Sequence, residues 1–295
     1  ARIMSKIATI GFFDGVHRGH RFLFAQLCEL ARERDLEPLI ITFDRHPREV
    51  ITGVCPAMLT TYMERQQMLA LHAQVHVLPF AQVQHLTAEQ FMHYLQEEEQ
   101  VEVLLMGYDH RFGSDQLKGF SEYEKVARRV GLRVERAHEC LVDGLPVSST
   151  RIRRLLHEGQ IEQVNRLLGY QYSLSGIVEH GNGIGAQIGF PTANISLQSE
   201  KLLPMYGVYA AKTIVDQQSF AAIVNIGTNP TVGNNAISVE SHLIEYQGNL
   251  YGKRLVIMFD AFIRSEQKFA SLAELKQQIS IDISHLKNSL TEENR

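Results

Sequence analysis

The chain of 295 residues has little cysteine and no long apolar run. Its three cysteines, Cys28, Cys55 and Cys140, are odd in number and lack paired spacing, which argues against a disulfide framework and a CxxC zinc site. No stretch approaches the roughly 18 apolar residues of a membrane span, and no charged-then-apolar leader precedes the first apolar run. These features predict a protein of a reducing, cytoplasmic compartment.

The chain also lacks a large excess of charge of either sign. Lys and Arg number 29 against 33 Asp and Glu, a net charge of −4. This balance argues against a protein whose main task is to grip a nucleic-acid backbone, but it allows a local basic pocket for a phosphorylated small molecule. Apolar residues make up 44% and charged residues 21%, as in ordinary globular proteins. At roughly 150 residues per domain, the length suggests two domains.

The first half of the chain alternates strand and helix patterns. Helices are predicted at 19–34, at 62–73, from Thr87 to about residue 99 and from Ser121, the last two beginning with the capping boxes TAEQ and SEYE. Between them, apolar runs predict strands at 6–12, 38–43, 75–80, 101–106 and 132–135. Non-alternating strands joined by helices predict an α/β, Rossmann-like domain with a parallel sheet covered on both faces. Ligands of such sheets bind outside the carboxyl ends of the strands.

The pattern changes near residue 170. Residues 148–168 predict two short helices, broken at Gly159 and ending at Gly169. Strands without long intervening helices follow, at 172–180, 207–215, 220–226, 237–245 and 255–262. Serial short strands separated by Gly and Asn turns predict a small antiparallel β-barrel, followed by a C-terminal helix from Ser271 to about Leu290. We therefore predict two domains, 1–169 and 170–295.

The segment between the first strand and the first helix, GFFDGVHRGH from Gly11 to His20, predicts a phosphate site. Helix amides bind phosphate at this corner, and His17 and His20, three residues apart, can face one ligand. Gly19 permits close approach of a nucleotide, and imidazoles would stabilise the charge that attack on an α-phosphorus creates. Two alternatives remain open. His17 caps the loop while His20 lies on the helix surface, and Asp14 either binds magnesium or holds the loop through an Asx turn.

A second candidate phosphate element is SSTRIR, from Ser148 to Arg153. Hydroxyl groups and exposed amides at a helix start suit phosphate, and Arg153 can clamp a pyrophosphate leaving group. The alternative is a plain N-cap followed by a solvated basic helix face.

These motifs resemble the nucleotidyltransferase superfamily. With TFDRHP from Thr42 and GYDHRFG from Gly107, they resemble more specifically the FMN adenylyltransferase half of bacterial bifunctional riboflavin kinase/FAD synthetases. The resemblance implies that the ATP phosphates are handled by His17 and His20, by the loop residues Gly11, Phe12, Asp14 and Gly19, and by Ser149, Thr150 and Arg153. It also implies that the flavin or its phosphate lies near Phe43, His46, Pro47, Asp109, Arg111 and Phe112. Three positions depart from the family pattern: Phe12, Arg45 and His110 stand where Asn, Pro and Phe are common.

In the second half, Gly181, Gly183, Gly185 and Gly189 surround a turn before the segment FPTAN. Such glycines permit a phosphate-binding loop, although an ordinary hairpin is the alternative. Thr192 and Asn194 are two residues apart, so in an extended segment their oxygens face one side and suit Mg²⁺. Glu240, in an alternating strand, either accepts a proton from an attacking hydroxyl or faces solvent. Arg264 contacts either a ligand or a surface carboxylate.

GFPTANI, YGVYA, NIGTNPT, VESHLIEY, LYGKRL and FIRSEQKF resemble the riboflavin kinase half of the same family. The resemblance implies phosphorylation of riboflavin to FMN, with Gly181 and Gly185 in the ATP loop and Thr192 and Asn194 at Mg²⁺ and phosphate. Glu240 would be the general base on the ribityl hydroxyl, and Arg264 would border the flavin. Ala186 departs from the family pattern, in which Arg is frequent.

The chain is therefore predicted to be an enzyme that makes FMN and then FAD, with ATP, Mg²⁺ and flavins as its ligands and with no nucleic-acid or membrane partner. A nucleotidyltransferase with another acceptor is the alternative, as is a flavin-binding protein that has lost one activity. A class I aminoacyl-tRNA synthetase is disfavoured because no lysine-rich second signature is present.

Overall fold

The computed structural model describes residues 5–180, 184–187, 189–197, 200–229 and 236–293. It divides into two compact units, Ala1–Ser149 and Thr150–Arg295. The two units are defined by how densely their residues pack, and the helices just before residue 169 fall in the second unit. Packing density does not define where a catalytic domain ends, so the domain boundary at 169/170 stays a prediction.

The first unit is built from a β-sheet and covering helices. Its strands are β1 (Lys6–Ile10), β2 (Glu37–Phe43), β3 (Gln74–Leu78), β4 (Val101–Met106), β5 (Arg133–Arg136), β6 (Leu141–Val142) and β7 (Leu145–Pro146). Its helices are α1 (Arg18–Glu33), α2 (Pro47–Thr52), α3 (Tyr62–Ala70), α4 (Phe80–Val83), α5 (Ala88–Glu97) and α6 (Phe120–Val130).

The five long strands form one parallel sheet in the order β3-β2-β1-β4-β5. Alternate side chains enter two apolar cores: Ile7 packs with Leu27 of α1 on one face, and Ala8 packs with Phe91 of α5 on the other. The predicted Rossmann-like sheet with helices on both faces is thereby confirmed. The strand order reverses between β1 and β4, and such a reversal opens a ligand crevice at the carboxyl ends of the strands.

Two local predictions in this unit are wrong. The helix expected from Ser121 begins at Phe120 after Gly119, because Glu122 rather than Glu124 accepts a backbone N–H, that of Lys118, at 2.6 Å. Phe80 does not end a strand but begins α4, where its N–H donates to a carboxylate oxygen of Asp44 at 2.9 Å. The capping box at Thr87, by contrast, is present as predicted.

The second unit is dominated by β-strands. Its strands are β8 (Ser173–Glu179), β9 (Ala193–Ile195), β10 (Gly207–Val215), β11 (Gln218–Asn229), β12 (Ala236–Leu243) and β13 (Arg254–Arg264). Helix α7 (Ser149–His157) leads into it, followed by α8 (Ile161–Leu168), α9 (Ile184–Gln187) and α10 (Leu272–Glu293). The strands close a barrel in the order β10-β11-β12-β9-β8-β13, with every pair antiparallel, which confirms the predicted barrel and C-terminal helix.

Helices α8 and α10 pack on the barrel. The Asn165 side chain of α8 donates to the carbonyl of Phe259 at 2.8 Å and accepts from the N–H of Tyr172 at 2.7 Å. Leu286 of α10 packs against Val208 and the neighbouring apolar residues of β10 and β11. Within the described ranges, no helix is long and apolar enough to cross a membrane.

Candidate active sites

The loop that follows β1 brings His17 and His20 together. Nδ1 of His17 accepts the N–H of His20 at 3.3 Å and so caps α1, and the two imidazole rings stack with centroids 3.6 Å apart. His17 is buried and His20 is half-buried, its ring meeting Phe13 edge-on at 5.2 Å. The capping role considered for His17 is therefore observed, and the surface position considered for His20 is not.

Burial is the main reason that His20 stays neutral. It is the largest cause that lowers the pKa of His20 well below its usual value, and electrostatic coupling to the His17 and His110 imidazoles lowers it further. A neutral imidazole at pH 7 keeps one N–H donor and one acceptor nitrogen. An anionic ligand placed here would favour the protonated form instead.

Asp14 anchors the β1–α1 loop to the segment before α3. Its carboxylate accepts the N–H of Leu59 at 2.9 Å, and the N–H and hydroxyl of Thr60 at 3.0 and 2.9 Å. Both carboxylate oxygens are therefore engaged, which favours the loop-holding alternative over magnesium binding. The bonds cross to another loop and are not those of an Asx turn.

This anchoring holds a strained backbone. Phe13 and Val16 have φ values of 58° and 37°, in the left-handed region that a β-branched residue such as Val16 rarely adopts. Gly11 is required for a different reason, since a Cβ there would lie 2.6 Å from the Phe13 ring. A Cβ on Gly19 would lie 3.0 Å from the His17 ring, so this glycine allows the cap to close.

A buried arginine, Arg65, contacts Phe43 and also Phe12, whose ring in turn contacts His46. His46 caps α2 ahead of Pro47, and its ring meets that of Phe12 edge-on at 4.8 Å. The guanidinium carbon of Arg65 lies 3.8 Å from the Phe12 ring centroid, and the guanidinium donates to the carbonyl of Phe43 at 3.3 Å. Sequence reasoning missed Arg65 because it lies in an ordinary helix outside every motif.

The loop after β4 is held by a tyrosine. The hydroxyl of buried Tyr123 accepts the N–H of Phe112 at 2.8 Å and donates to the carbonyl of the same residue at 2.7 Å. Burial is the largest cause that raises the pKa of Tyr123, so the phenol stays protonated and able to donate. Asp109 and Arg111 are exposed in this loop.

Helix α7 begins at Ser149, within the predicted SSTRIR element. The hydroxyl of Ser149 donates to the backbone carbonyl of Asp14 at 2.9 Å, which ties this residue to the β1–α1 loop. Thr150 and Arg153 belong to the second unit, where Thr150 is exposed and Arg153 is half-buried.

The barrel carries a row of residues in register across six strands. Val208 pairs with Asn225 and Arg264, and Asn194 pairs with Glu240. The complete row runs Glu179, Asn194, Glu240, Asn225, Val208 and Arg264. Paired residues point to the same side of a sheet, so this row places five polar side chains on one face of the barrel, the face on which α10 packs against Val208.

That face borders a cavity of about 460 Å³. The hydroxyl of Thr192 donates to a carboxylate oxygen of Glu240 at 3.2 Å, and both residues line the cavity together with Asn225 and Arg264. Glu240 is therefore half-buried in a cavity wall and does not simply face solvent. A carboxylate beside a hydroxyl group and open space can accept a proton from a bound alcohol.

Arg264 forms a buried ion pair across the cavity wall. Its guanidinium donates to one carboxylate oxygen of Asp282 on α10 at 2.9 and 3.1 Å, and only 2% of the Asp282 side chain is exposed. The sequence left two partners open for Arg264, a ligand or a surface carboxylate. The structure shows a carboxylate, but it is buried and lines the cavity. The pairing was not predictable because Asp282 lies within an amphipathic helix pattern.

The glycine-rich segment is described in part. Gly185 lies in the short helix α9, and its carbonyl accepts the N–H of Phe190 at 2.8 Å. Gly181 and Gly183 lie outside the described residues. Among the residues with described positions, no group of three His, Cys, Asp or Glu side chains is arranged to hold a metal ion.

Glu266 was overlooked although it lies in the quoted FIRSEQKF segment. It lines the same cavity as Glu240, and burial raises the pKa of its carboxyl group. The signal that could have identified it is its position two residues after Arg264.

Comparison with known proteins finds similarity over both units. A family model described as FAD synthetase matches residues 2–151, and one described as riboflavin kinase matches residues 168–290. The chain is 37% identical to a bifunctional riboflavin kinase/FMN adenylyltransferase of Pseudomonas fluorescens, covering 94% of this chain and 90% of the relative. It is 36% identical to the protein of the same description from Escherichia coli K12, with the same coverage.

A solved structure matches the whole fold. It is described as a macrolide-efflux protein from Streptococcus pneumoniae and aligns with a TM-score of 0.88 and 26% identity, covering 98% of this chain and 95% of that one.

Proposed function

The chain belongs to the family of bifunctional riboflavin kinase/FMN adenylyltransferases, and we propose how its own residues phosphorylate riboflavin to FMN and adenylylate FMN to FAD. The first unit carries the adenylyl transfer and the barrel carries the phosphorylation. Both steps take ATP, and FMN is the product of one and the substrate of the other.

In the first unit, a phosphate oxygen of FMN attacks the α-phosphorus of ATP. A P–O bond forms to that oxygen, the bond to the β-phosphate breaks, and pyrophosphate leaves with the electron pair. His17, His20 and the amides at the start of α1 stabilise the negative charge that builds on the α-phosphate oxygens. Ser149, Thr150 and Arg153 are assigned to the triphosphate by the resemblance, and Thr150 is exposed at the start of α7.

The flavin side of this site is assigned to the loops after β2 and β4. Phe43 ends β2, His46 caps α2 and Pro47 begins it, and Arg111 and Phe112 lie in the loop after β4. Asp109 completes the flavin set. The nucleotide is assigned to the β1–α1 loop, with Gly11, Phe12, Asp14 and Gly19. Asp14 acts there by holding the loop in position.

In the barrel, the terminal ribityl hydroxyl of riboflavin attacks the γ-phosphorus of ATP. Glu240 accepts the hydroxyl proton as the new P–O bond forms, and ADP leaves. The Thr192 hydroxyl orients the Glu240 carboxylate through their 3.2 Å hydrogen bond. Gly185 and Gly181 are assigned to the ATP loop, and the ion pair of Arg264 borders the flavin.

Thr192 and Asn194 suit magnesium that binds together with ATP. The hydroxyl of Thr192 and the amide oxygen of Asn194 are hard oxygen donors, and Asn194 lies beside Glu240 in the strand register. Thr192 and Asn194 would hold the ion, and its charge would offset the negative charge that develops on the phosphate oxygens.

The observation that carries the proposal is the pairing of Thr192 with Glu240 beside the barrel cavity. A nucleotidyltransferase with another acceptor would have no use for this pair. The alternative of a flavin-binding protein that has lost one activity stays testable. The cytoplasmic setting and the small-molecule partners, without nucleic acid or membrane, remain part of the proposal.

The test is chromatography of flavins from the purified chain incubated with riboflavin, ATP and Mg²⁺, with a parallel reaction started from FMN. We expect FMN first and FAD second. FAD formed only from added FMN would contradict the kinase assignment and direct attention to Ala186. Flavin that stays bound but unconverted in both reactions would support the binding-protein alternative.

A further inference from the structure

A third imidazole lies near the two histidines of the first unit. His110 is in the loop after β4, the strand that neighbours β1 where the sheet order reverses. The loop packs beside α1: a Cβ placed on Gly107 would lie 3.5 Å from Cβ of His110 and 3.8 Å from Cδ2 of Leu23, which follows His20 by three residues on α1.

The loop holds this ring in a defined place. The N–H of His110 donates to the carbonyl of Gly107 at 3.1 Å, and its ring stacks on Phe112 with centroids 6.1 Å apart. Phe112 is in turn bonded through its backbone to Tyr123. The His110 ring is therefore ordered by its neighbours before any ligand binds.

Two ring nitrogens at this place lack a protein partner. Nδ1 of His20 and Nε2 of His110 are buried, and neither has a hydrogen-bond partner within the described part of the chain. A buried polar atom left without a partner costs about 1–3 kcal/mol. Two such atoms, one on α1 and one in the loop beside it, could both be satisfied by a ligand that supplies hydrogen-bonding oxygens.

The chemistry of the crevice favours an anion. His17 and His20 lie at the N-terminus of α1, whose dipole favours negative charge, and His110 lies in the neighbouring loop. The titratable groups that act on His20 are His17 and His110, while burial alone lowers the pKa of His110 to about 4. A phosphate oxygen would offset both effects by accepting hydrogen bonds from the rings.

We propose that Nε2 of His110 donates to the phosphate chain of ATP beside His20, as a third imidazole of the adenylyl-transfer site. The inference rests on the proposed function of the first unit. It assigns to this chain a nucleotide contact that a phenylalanine at the same position cannot make.

The experiment compares wild type with His110→Phe in FAD formation from FMN and in the reverse reaction from FAD and pyrophosphate. Loss of one charge-assisted hydrogen bond predicts a rise of about tenfold in KM for ATP and for pyrophosphate. KM for FMN and the rate of riboflavin phosphorylation are expected to stay within twofold, roughly the scatter of a distant surface change.

Two variants serve as controls. His110→Gln keeps an N–H donor and is expected to retain most of the affinity for ATP. His93→Phe makes the same change on the exposed side of α5 and is expected to change neither KM. Unchanged KM values for ATP and pyrophosphate in His110→Phe, or a rise confined to FMN, would overturn the proposal.

A second readout does not depend on turnover. The imidazole C2–H signal of His110 in the proton NMR spectrum, assigned by its loss in His110→Gln, is expected to move toward the protonated position when pyrophosphate is added to wild type. An unmoved signal at saturating pyrophosphate would contradict the inference even if His110→Phe fails to fold. Absence of FAD formation by wild type would instead refute the proposed function itself.

Discussion

Replacing Asp14 by Asn tests whether this carboxylate positions the histidine loop or binds a metal. In the structure its two oxygens accept the N–H of Leu59 and both the N–H and hydroxyl of Thr60. An Asn side chain keeps one carbonyl oxygen for Thr60 and turns its NH₂ group toward the N–H of Leu59. The NH₂ group of the Asn and the N–H of Leu59, both donors, then face each other where neither can bond to water.

The expected cost follows from that geometry. A hydrogen bond to a charged acceptor contributes about 1.5–3 kcal/mol, and a buried unsatisfied N–H costs about 1–3 kcal/mol. Because these terms overlap at one N–H group, we expect Asp14→Asn to lower the free energy of unfolding of the first unit by about 3 kcal/mol. The left-handed residues Phe13 and Val16 then relax, and a displacement of the histidines by about 1 Å lowers the rate of FAD formation about 100-fold.

The assay combines urea unfolding with FAD formation measured over a range of Mg²⁺ concentrations. The matched control is Asp44→Asn, in which the exposed carboxylate accepts two backbone N–H groups through a single oxygen that Asn retains. That control is expected to cost less than about 1 kcal/mol. The reasoning is refuted if Asp14→Asn keeps wild-type stability and instead raises the Mg²⁺ concentration needed for half-maximal rate.

Two further changes probe the supports of the two sites. Arg264→Met leaves the Asp282 carboxylate buried without its cation and is expected to lower the free energy of unfolding of the barrel unit by about 3–5 kcal/mol, most of which the double variant with Asp282→Leu recovers in urea titration. A double variant as unstable as the single one would contradict this reading of the ion pair. Tyr123→Phe removes the hydroxyl that holds Phe112 and is expected to raise KM for FMN in FAD formation, while riboflavin phosphorylation in the same flavin assay keeps its rate. An unchanged KM for FMN would count against a flavin role of that loop.

The architecture was predictable from the sequence because it depends on local patterns. Continuous apolar runs between helices specify a covered parallel sheet, and serial short strands with Gly and Asn turns specify an antiparallel barrel. The pairing of His17 with His20 was predictable for the same reason, since three residues at a helix start bring two side chains together. Strand β9 was not predicted, because three residues are too few to show an alternating apolar pattern.

The supports of the sites depend on contacts between distant positions. Asp14 meets Thr60 across 45 or more residues of chain, and Arg264 meets a buried carboxylate inside an amphipathic helix. No spacing rule predicts either contact, because each forms only after separate elements pack. Arg65 was missed for the same reason: its partners are Phe12, in the loop after β1, and Phe43, at the end of β2, and both are distant from it in sequence.

The measurement that tests the central claim most directly assays His20→Ala and Glu240→Gln separately, each started once from riboflavin and once from FMN. Removing the general base of the barrel is expected to slow FMN formation about 10²–10⁴-fold while FAD formation from added FMN stays intact. His20→Ala is expected to stop at FMN. An equal mixture of the two variants should again convert riboflavin to FAD through free FMN. Loss of both activities in either variant would contradict the assignment of one reaction to each unit.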